Sequence, residues 1–312
     1  MEYIVKQCPK CSGELHIPAE MKKCICMFCG EEFEIQNTEG KDQDAPDRKT
    51  VEMAYHNALA EIALLVENCE SYMMNFTKDK YGASFEKYLN ISRPILKAAE
   101  DYVTLFEASR ENVIQEISQG IIEAAKTKID EARKAQKAST RTRIIDQYRF
   151  FLAIYTVPMV RYLNYGISEP LADGIIEIWR NQYPKHEFKK GNYDELQAGF
   201  KRKGFCFITT AVCESMEKPD DCYELTIFRN FRDTYMQMTR DRQAMVEVYY
   251  QIAPAIVAII NTQPNRNRIY SSIWREFLQP CLEDIEENRL EDCEKHYTYM
   301  INKLKDEFLY YQ

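Results

Sequence analysis

The sequence predicts a mainly α-helical protein, with multi-helix bundle domains preceded by a small N-terminal β unit. Three observations carry this expectation. From residue 51 onward apolar residues recur every three or four positions, the spacing that gathers them on one face of a helix. Only 10 glycines and 11 prolines occur in 312 residues, too few for the many turns of a β-sandwich. Residues 1–36 break the helical pattern and carry cysteines in two C-x2-C pairs.

The bulk numbers narrow the function classes. The chain is 45% hydrophobic and 29% charged, enough apolar material for real cores. Its net charge is −8 and its pI about 5.3, which disfavours nucleic acid as the main partner because phosphate contacts need a basic face. No apolar leader segment follows Met1. The most apolar stretch, Phe150 to Val160, is bracketed by Arg149 and Arg161 and falls far short of the roughly 20 residues of a membrane span. The expectation is a cytoplasmic protein without a transmembrane helix, whose 11 cysteines are reduced thiols or metal ligands rather than disulfides.

Four segments are expected: a ribbon over 1–36, a flexible linker over 37–49, a helical bundle over 50–200 and a second helical domain over 201–312. The ribbon rests on Cys8-Pro9-Lys10-Cys11 and Cys26-Met27-Phe28-Cys29, each pair followed closely by a glycine, Gly13 or Gly30. A tight knuckle turns two sulfurs toward one ion, and two knuckles supply the four-thiolate tetrahedral set that suits one structural zinc ion. Redox or iron–sulfur chemistry is the alternative use of such pairs. Cys24 could replace Cys26 as a ligand, but Cys26–Cys29 has the better spacing and Cys24 reads as a spare strand thiol. Short strands around Leu15–Ile17 and Phe33–Ile35 complete the unit, which is too small to hold a core without its metal. The linker has no large apolar residue.

The bundle begins with a stripe from Val51 through Tyr55, Ala58, Leu65, Cys69 and Tyr72 to Phe76, read as one continuous helix of seven turns. A short helix over Phe85–Leu89 and another capped by Ser92, with Pro94 in its first turn, follow. A third helix carries Val113, Ile117, Ile121, Ala125 and Ile129. A fourth spans about Thr142 to Tyr165, kinked at Pro158, and a fifth starts at a Ser168 cap. Tyr193, Leu196 and Phe200 mark a short docking helix before a boundary near 200. The basic run 126–143 (Lys126, Lys128, Arg133, Lys134, Lys137, Arg141, Arg143) reads as a solvated helix end; an acidic partner, a lipid headgroup or nucleic acid is its alternative use.

The stretch Gly204 to Cys213 is the least helix-like text of the second half. Beyond it, Asp220 or Asp221 could cap a helix running to about Met238. Further helices follow over Arg240–Ile252, over Ala255–Ile260 behind Pro254, over about Asn267–Glu286 with a bend at Pro280, and from about Leu290 to Tyr311. Thr209 and Thr210 could cap the helix after the stretch.

Residues 206–254 resemble the CFI-box C-terminal domain family of bacterial proteins. The resemblance lies in Cys206-Phe207-Ile208-Thr209-Thr210-Ala211, in Phe228-Arg229-Asn230-Phe231-Arg232-Asp233, in Val246-Glu247-Val248-Tyr249-Tyr250 and in Pro254, in that order and spacing. It covers about fifty residues, a sixth of the chain. The chain departs from the family pattern at Val212-Cys213-Glu214 and at Phe228. The resemblance implies a domain, not a reaction; its pairing with an N-terminal zinc ribbon is similar to a recurring bacterial arrangement.

Physically, Arg229, Arg232, Asp233, Tyr249 and Tyr250 read as a structural network, with an arginine paired to Asp233, Glu224 or Glu247 because buried charges need partners. Cys206 reads first as a buried packing thiol. Its alternatives are metal binding with Cys213 and Cys222, with His186 or His296 added, and a reactive or redox thiol with Cys213 as the resolving partner. A reactive thiol should be exposed and have a lowered pKa beside Arg or His. The sequence has no P-loop, no G-x-S-x-G and no catalytic histidine motif. The functional expectation is a non-enzymatic, zinc-binding helical scaffold or adaptor for another protein in the bacterial cytoplasm. A thiol-dependent enzyme or sensor centred on Cys206, or surface binding through 126–143, stands as the alternative.

Overall fold

The computed structural model describes residues 3–8, 10, 13–18, 21, 23–34, 47–134, 138–201 and 206–309. It separates into two compact units, Met1–Asp47 and Arg48–Gln312. Cys11, most of the expected linker, Lys137, Arg202, Lys203, Gly204, Phe205 and Tyr311 lie outside the described residues.

The first unit holds two antiparallel hairpins. β1 (Tyr3–Gln7) pairs with β2 (Glu14–Pro18), with Ile4 opposite Ile17 and Lys6 opposite Leu15; β3 (Lys23–Ile25) pairs with β4 (Glu32–Glu34), with Cys24 opposite Phe33. In β2 the strand period of two puts Leu15 and Ile17 inside and leaves Glu14 and His16 outside. Leu15 and Ile17 cluster with Cys8 and Cys26, and Cys24 and Phe33 pack at the edge. β1 and β3, not expected from the sequence, are the partners that the two expected strands require.

The second unit is all helix: α1 (Arg48–Ala60), α2 (Cys69–Met74), α3 (Tyr81–Leu105), α4 (Arg110–Lys134), α5 (Ala138–Phe151), α6 (Val157–Leu163), α7 (Ser168–Gln182), α8 (Tyr193–Lys201), α9 (Phe207–Ser215), α10 (Tyr223–Asp233), α11 (Arg240–Asn261), α12 (Arg266–Ile273), α13 (Gln279–Glu286) and α14 (Leu290–Phe308). One hydrophobic cluster runs from Tyr55 to Leu309. The helical residues on either side of position 200 share it, so the two helical domains expected from the sequence are not separate compact units.

Several expected helices are redrawn. The stripe from Val51 to Phe76 is buried at the positions read, but a 3-10 turn at Ile62–Leu65 and a left-handed Asn68 (φ 56°) divide it between α1 and α2. The two helices expected around Phe85–Leu89 and Ser92 are the single α3, which runs through Pro94; Ser92 is no cap, and its hydroxyl donates to Tyr88 O at 2.8 Å. The Ser168 hydroxyl accepts from Tyr165 N at 2.9 Å. The Glu100 carboxylate of α3 accepts from the N–H groups of Gly166 and Ile167, the two residues before α7, and Ser168 N donates to Tyr165 O at 3.0 Å. Asp220 and Asp221 do not cap α10, whose N-cap position is Cys222. α11 continues through Pro254 as one helix.

By length and composition alone α11 could cross a membrane, unlike the Phe150–Val160 stretch singled out in the sequence. Its residues Ile252 to Ile256, Ile259 and Ile260 are buried in the helical core, where an apolar core helix passes the same test.

Candidate metal centre and the Cys206 region

The hairpins bring three of the four expected ligands together. The sulfurs of Cys8, Cys26 and Cys29 all lie within 4.8 Å of one another, and Cys8 Sγ stands 3.6 Å from Cys29 Sγ. Four thiolates around one zinc at about 2.3 Å would stand roughly 3.8 Å apart, so the Cys8–Cys29 spacing already matches a shared ion. The local backbone explains the convergence. Cys8 N donates to Gly13 O at 3.0 Å, closing the first knuckle. Cys26 N donates to Glu31 O and Gly30 N to Cys26 O, both at 2.8 Å, closing the second. Gly30 takes φ +74°, a left-handed conformation that glycine adopts without a Cβ penalty. Lys10 on the first knuckle pairs with Glu31 behind the second at 2.6 Å. Cys24 is separate from the group: its thiol donates to Ile25 O at 3.5 Å. Ile25, Met27 and Phe28 on the same knuckle are exposed, Met27 at 81% and Phe28 at 65%.

In the helical unit Cys206 is the N-cap residue of α9 and is 4% exposed. Arg232 on α10 donates from Nη1 to its sulfur at 3.6 Å and holds Asp233 with Nε and Nη2, both at 2.7 Å. Burial raises the Cys206 pKa, with Arg232 and Arg229 opposing, so desolvation outweighs the cations. The features required of a reactive thiol, exposure and a lowered pKa, are not the ones found; the neighbouring arginine is. The Asp233 carboxyl is held below its ordinary range by its hydrogen bonds to Arg232.

The other resemblance residues join the same packing. Tyr249 accepts the Ile208 N–H on its hydroxyl at 3.0 Å, and Tyr250 meets the Phe207 ring edge-on. Arg229 pairs with Asp220, both its side chain and its carbonyl, rather than with Asp233; Glu224 pairs with Lys218. Thr209 and Thr210 lie inside α9 rather than capping it, and Thr209 Oγ1 sits 3.3 Å from the Tyr297 hydroxyl. Tyr297 on α14 was not readable as part of this group, because nothing in its local sequence ties it to a segment 88 residues away.

Cys213 is fully buried and its pKa is pushed up to about 12 by burial, with Cys222 next to it adding to the rise. The metal set imagined around Cys206 does not assemble: among the described residues Cys8, Cys26 and Cys29 form the one group of three or more His, Cys, Asp or Glu donors close enough to hold an ion. His186 pairs with Asp146 and His296 with Asp284, each at 2.7 Å. In the basic segment Arg143 donates to the Asp306 carbonyl, tying α5 to α14; the side chains of Arg133, Lys134 and Arg141 lie outside the described residues.

No protein-family model, curated protein or solved structure matches the chain.

Proposed function

We propose that the chain is a non-enzymatic helical scaffold whose N-terminal ribbon carries one structural zinc ion and presents a contact surface to another protein. The convergence of Cys8, Cys26 and Cys29 within 4.8 Å carries this reading. An all-sulfur donor set suits zinc, and Cys11, by its place in the first knuckle, is the fourth ligand. Ile25, Met27 and Phe28 supply an exposed apolar knuckle, larger than the single surface apolar residues that need no explanation. The order of motifs from Cys206 to Pro254 supports membership of the CFI-box family, with Arg232, Asp233 and Tyr249 as its internal network.

The test takes the full chain with and without Phe28→Glu. Metal analysis should give one zinc per chain in both, and in-cell cross-linking should recover a specific partner with the native protein and lose it with Phe28→Glu. Absence of zinc sinks the ribbon reading, and an unchanged set of cross-linked proteins sinks the contact surface. Chelation should abolish the β1–β2 and β3–β4 pairings in amide-exchange measurements and leave the Arg48–Gln312 helices protected, because among the described residues the buried cluster of the first unit is Cys8, Leu15, Ile17 and Cys26.

A further inference from the structure

A cavity of about 300 Å³ lies between three helices of the second half of the chain. Phe228 and Phe231 come from α10, Met245 and Val248 from α11, and Tyr297 and Ile301 from α14. Met236 joins them from the 3-10 turn between α10 and α11. These residues meet through the fold, because α11 packs on α14 and the turn folds α10 back beside them.

The walls are almost wholly apolar, and the polar groups on them are engaged with protein partners. Arg232 holds Asp233 with Nε and Nη2, both at 2.7 Å, and donates from Nη1 to the sulfur of Cys206, which also lines the cavity. Glu294 accepts from Arg242 Nε at 2.9 Å. The Tyr249 hydroxyl accepts from Ile208 N, and the Tyr297 hydroxyl stands 3.3 Å from Thr209 Oγ1. Each charged side chain on the wall therefore has its counter-charge. A charged ligand group would give up its water there without gaining an unmatched partner, whereas a hydrocarbon group gains by leaving water. Thr298 and Asn302 also line the cavity, Asn302 being exposed, and both offer neutral hydrogen-bonding groups at its rim.

Size and shape select a small molecule rather than a protein. The volume falls at the lower end of the roughly 300–1,000 Å³ of small-molecule pockets and exceeds the roughly 150 Å³ of an apolar cavity that takes up benzene. Of the large apolar side chains on the walls only Val248 is exposed, at 57%. A stable protein interface needs roughly 800 Å² on each side, far more than one protruding valine supplies. Met236 and Met245 are unbranched, so the walls can fit around an occupant.

We propose that this cavity binds an uncharged, hydrocarbon-rich small molecule with at most one neutral polar group, that group lying at the Thr298 and Asn302 rim. The site belongs to the helical unit and needs no zinc, so it stands or falls apart from the ribbon. Its occupancy would make the packing of α10, α11 and α14 responsive to an apolar metabolite.

Fluorescence titration of the full chain with the neutral dye N-phenyl-1-naphthylamine, followed by displacement with octanol, octanoate and octylammonium, tests this. The three competitors share a chain and differ in the charge of the head. The dye should bind, octanol should displace it, and both ions should compete at least about tenfold more weakly. Met245→Trp fills the cavity and should weaken dye and octanol binding at least about tenfold. Val248→Glu sets an unmatched carboxylate at the exposed mouth and should narrow the gap between octylammonium and octanol. Val248 is a surface position, so this variant decides the location even if Met245→Trp folds poorly. Absence of dye binding, displacement by either ion as strong as by octanol, or native behaviour of the folded variants would each overturn the assignment. Absence of dye binding joined to a dimer in sedimentation that Met245→Trp dissolves would give the cavity mouth to a second copy of the chain instead.

Discussion

The Tyr81 hydroxyl donates to the carbonyl of Ile154 at 2.7 Å. In a regular α-helix that carbonyl would accept from the N–H of residue 158, and residue 158 is proline. The chain widens into a π turn over Leu152–Thr156, with Val157 N reaching back to Leu152 O, and the kink expected at Pro158 is absorbed there. Tyr81 from α3 supplies a donor that proline cannot. Tyr81→Phe keeps the ring and its edge-on contacts with Phe76 and Tyr155 but removes that donor. It should cost about 1–3 kcal/mol, since Ile154 is fully buried. Denaturant melts of the two proteins check this; equal midpoints would show that the carbonyl needs no help.

A second close approach falls on the same turn. A Cβ on Gly191 would stand 2.4 Å from the Ala153 carbonyl oxygen, and Gly191 O itself accepts from Arg161 Nη1 at 2.8 Å. Backbone lies against backbone, so neither side can yield cheaply. Gly191→Ala should destabilise by about 1–3 kcal/mol. Gly199 is the control: it sits in α8 and a Cβ there meets nothing within 4 Å. Gly199→Ala should be neutral or stabilising by up to about 1 kcal/mol. Thermal melts in which both variants behave alike would contradict the close packing of the 188–192 loop.

Asp284 on α13 is 4% exposed and accepts from Arg289 Nε and Nη2 at 3.0 and 2.8 Å and from His296 Nδ1 at 2.7 Å. Breaking a buried pair usually costs most when it strands a buried charge. Here Arg289 and His296 are half exposed, so water can take them over and the loss should be smaller. Asp284→Ala should destabilise by about 2–3 kcal/mol, and urea unfolding will show it; a loss within experimental error would mean that the α13–α14 junction is held by packing alone.

Periodic patterning made the helical class and most buried positions readable. Val51, Tyr55, Cys69 and Phe76 are all buried, because a stripe serves the core whether or not the helix beneath it is continuous. The breaks were not readable. Asn68 enters the left-handed region with no glycine or proline to announce it, whereas Pro94 and Pro254, which do announce a break, lie inside unbroken helices. The cysteine spacing anticipated the convergence of Cys8, Cys26 and Cys29, a group that could hold an ion, because both knuckles are local in sequence. The group around Cys206 was only half legible, since Tyr297 reaches it from a remote helix.

Labelling of the Cys206 thiol beside Arg232 decides between a packing thiol and a chemical one. Burial raises the thiol pKa while Arg232 and Arg229 pull it down. At neutral pH the folded protein should leave Cys206 unlabelled by iodoacetamide while denatured protein reacts fully, and Arg232→Met should leave it unlabelled too, since it removes a cation that favours the thiolate. The same substitution has a signature in acid. Asp233 is depressed in the folded state by Arg232, so the pair contributes stability that is present above the ordinary aspartate range and is lost as pH falls through the folded value below it. Arg232→Met should therefore flatten the acid limb of the stability curve in that window and leave its shape at neutral pH unchanged. The carboxylate is largely exposed, so the effect should be modest. Fast labelling of native Cys206, slowed by Arg232→Met, would instead identify a thiolate activated by its arginine and reverse the non-enzymatic reading.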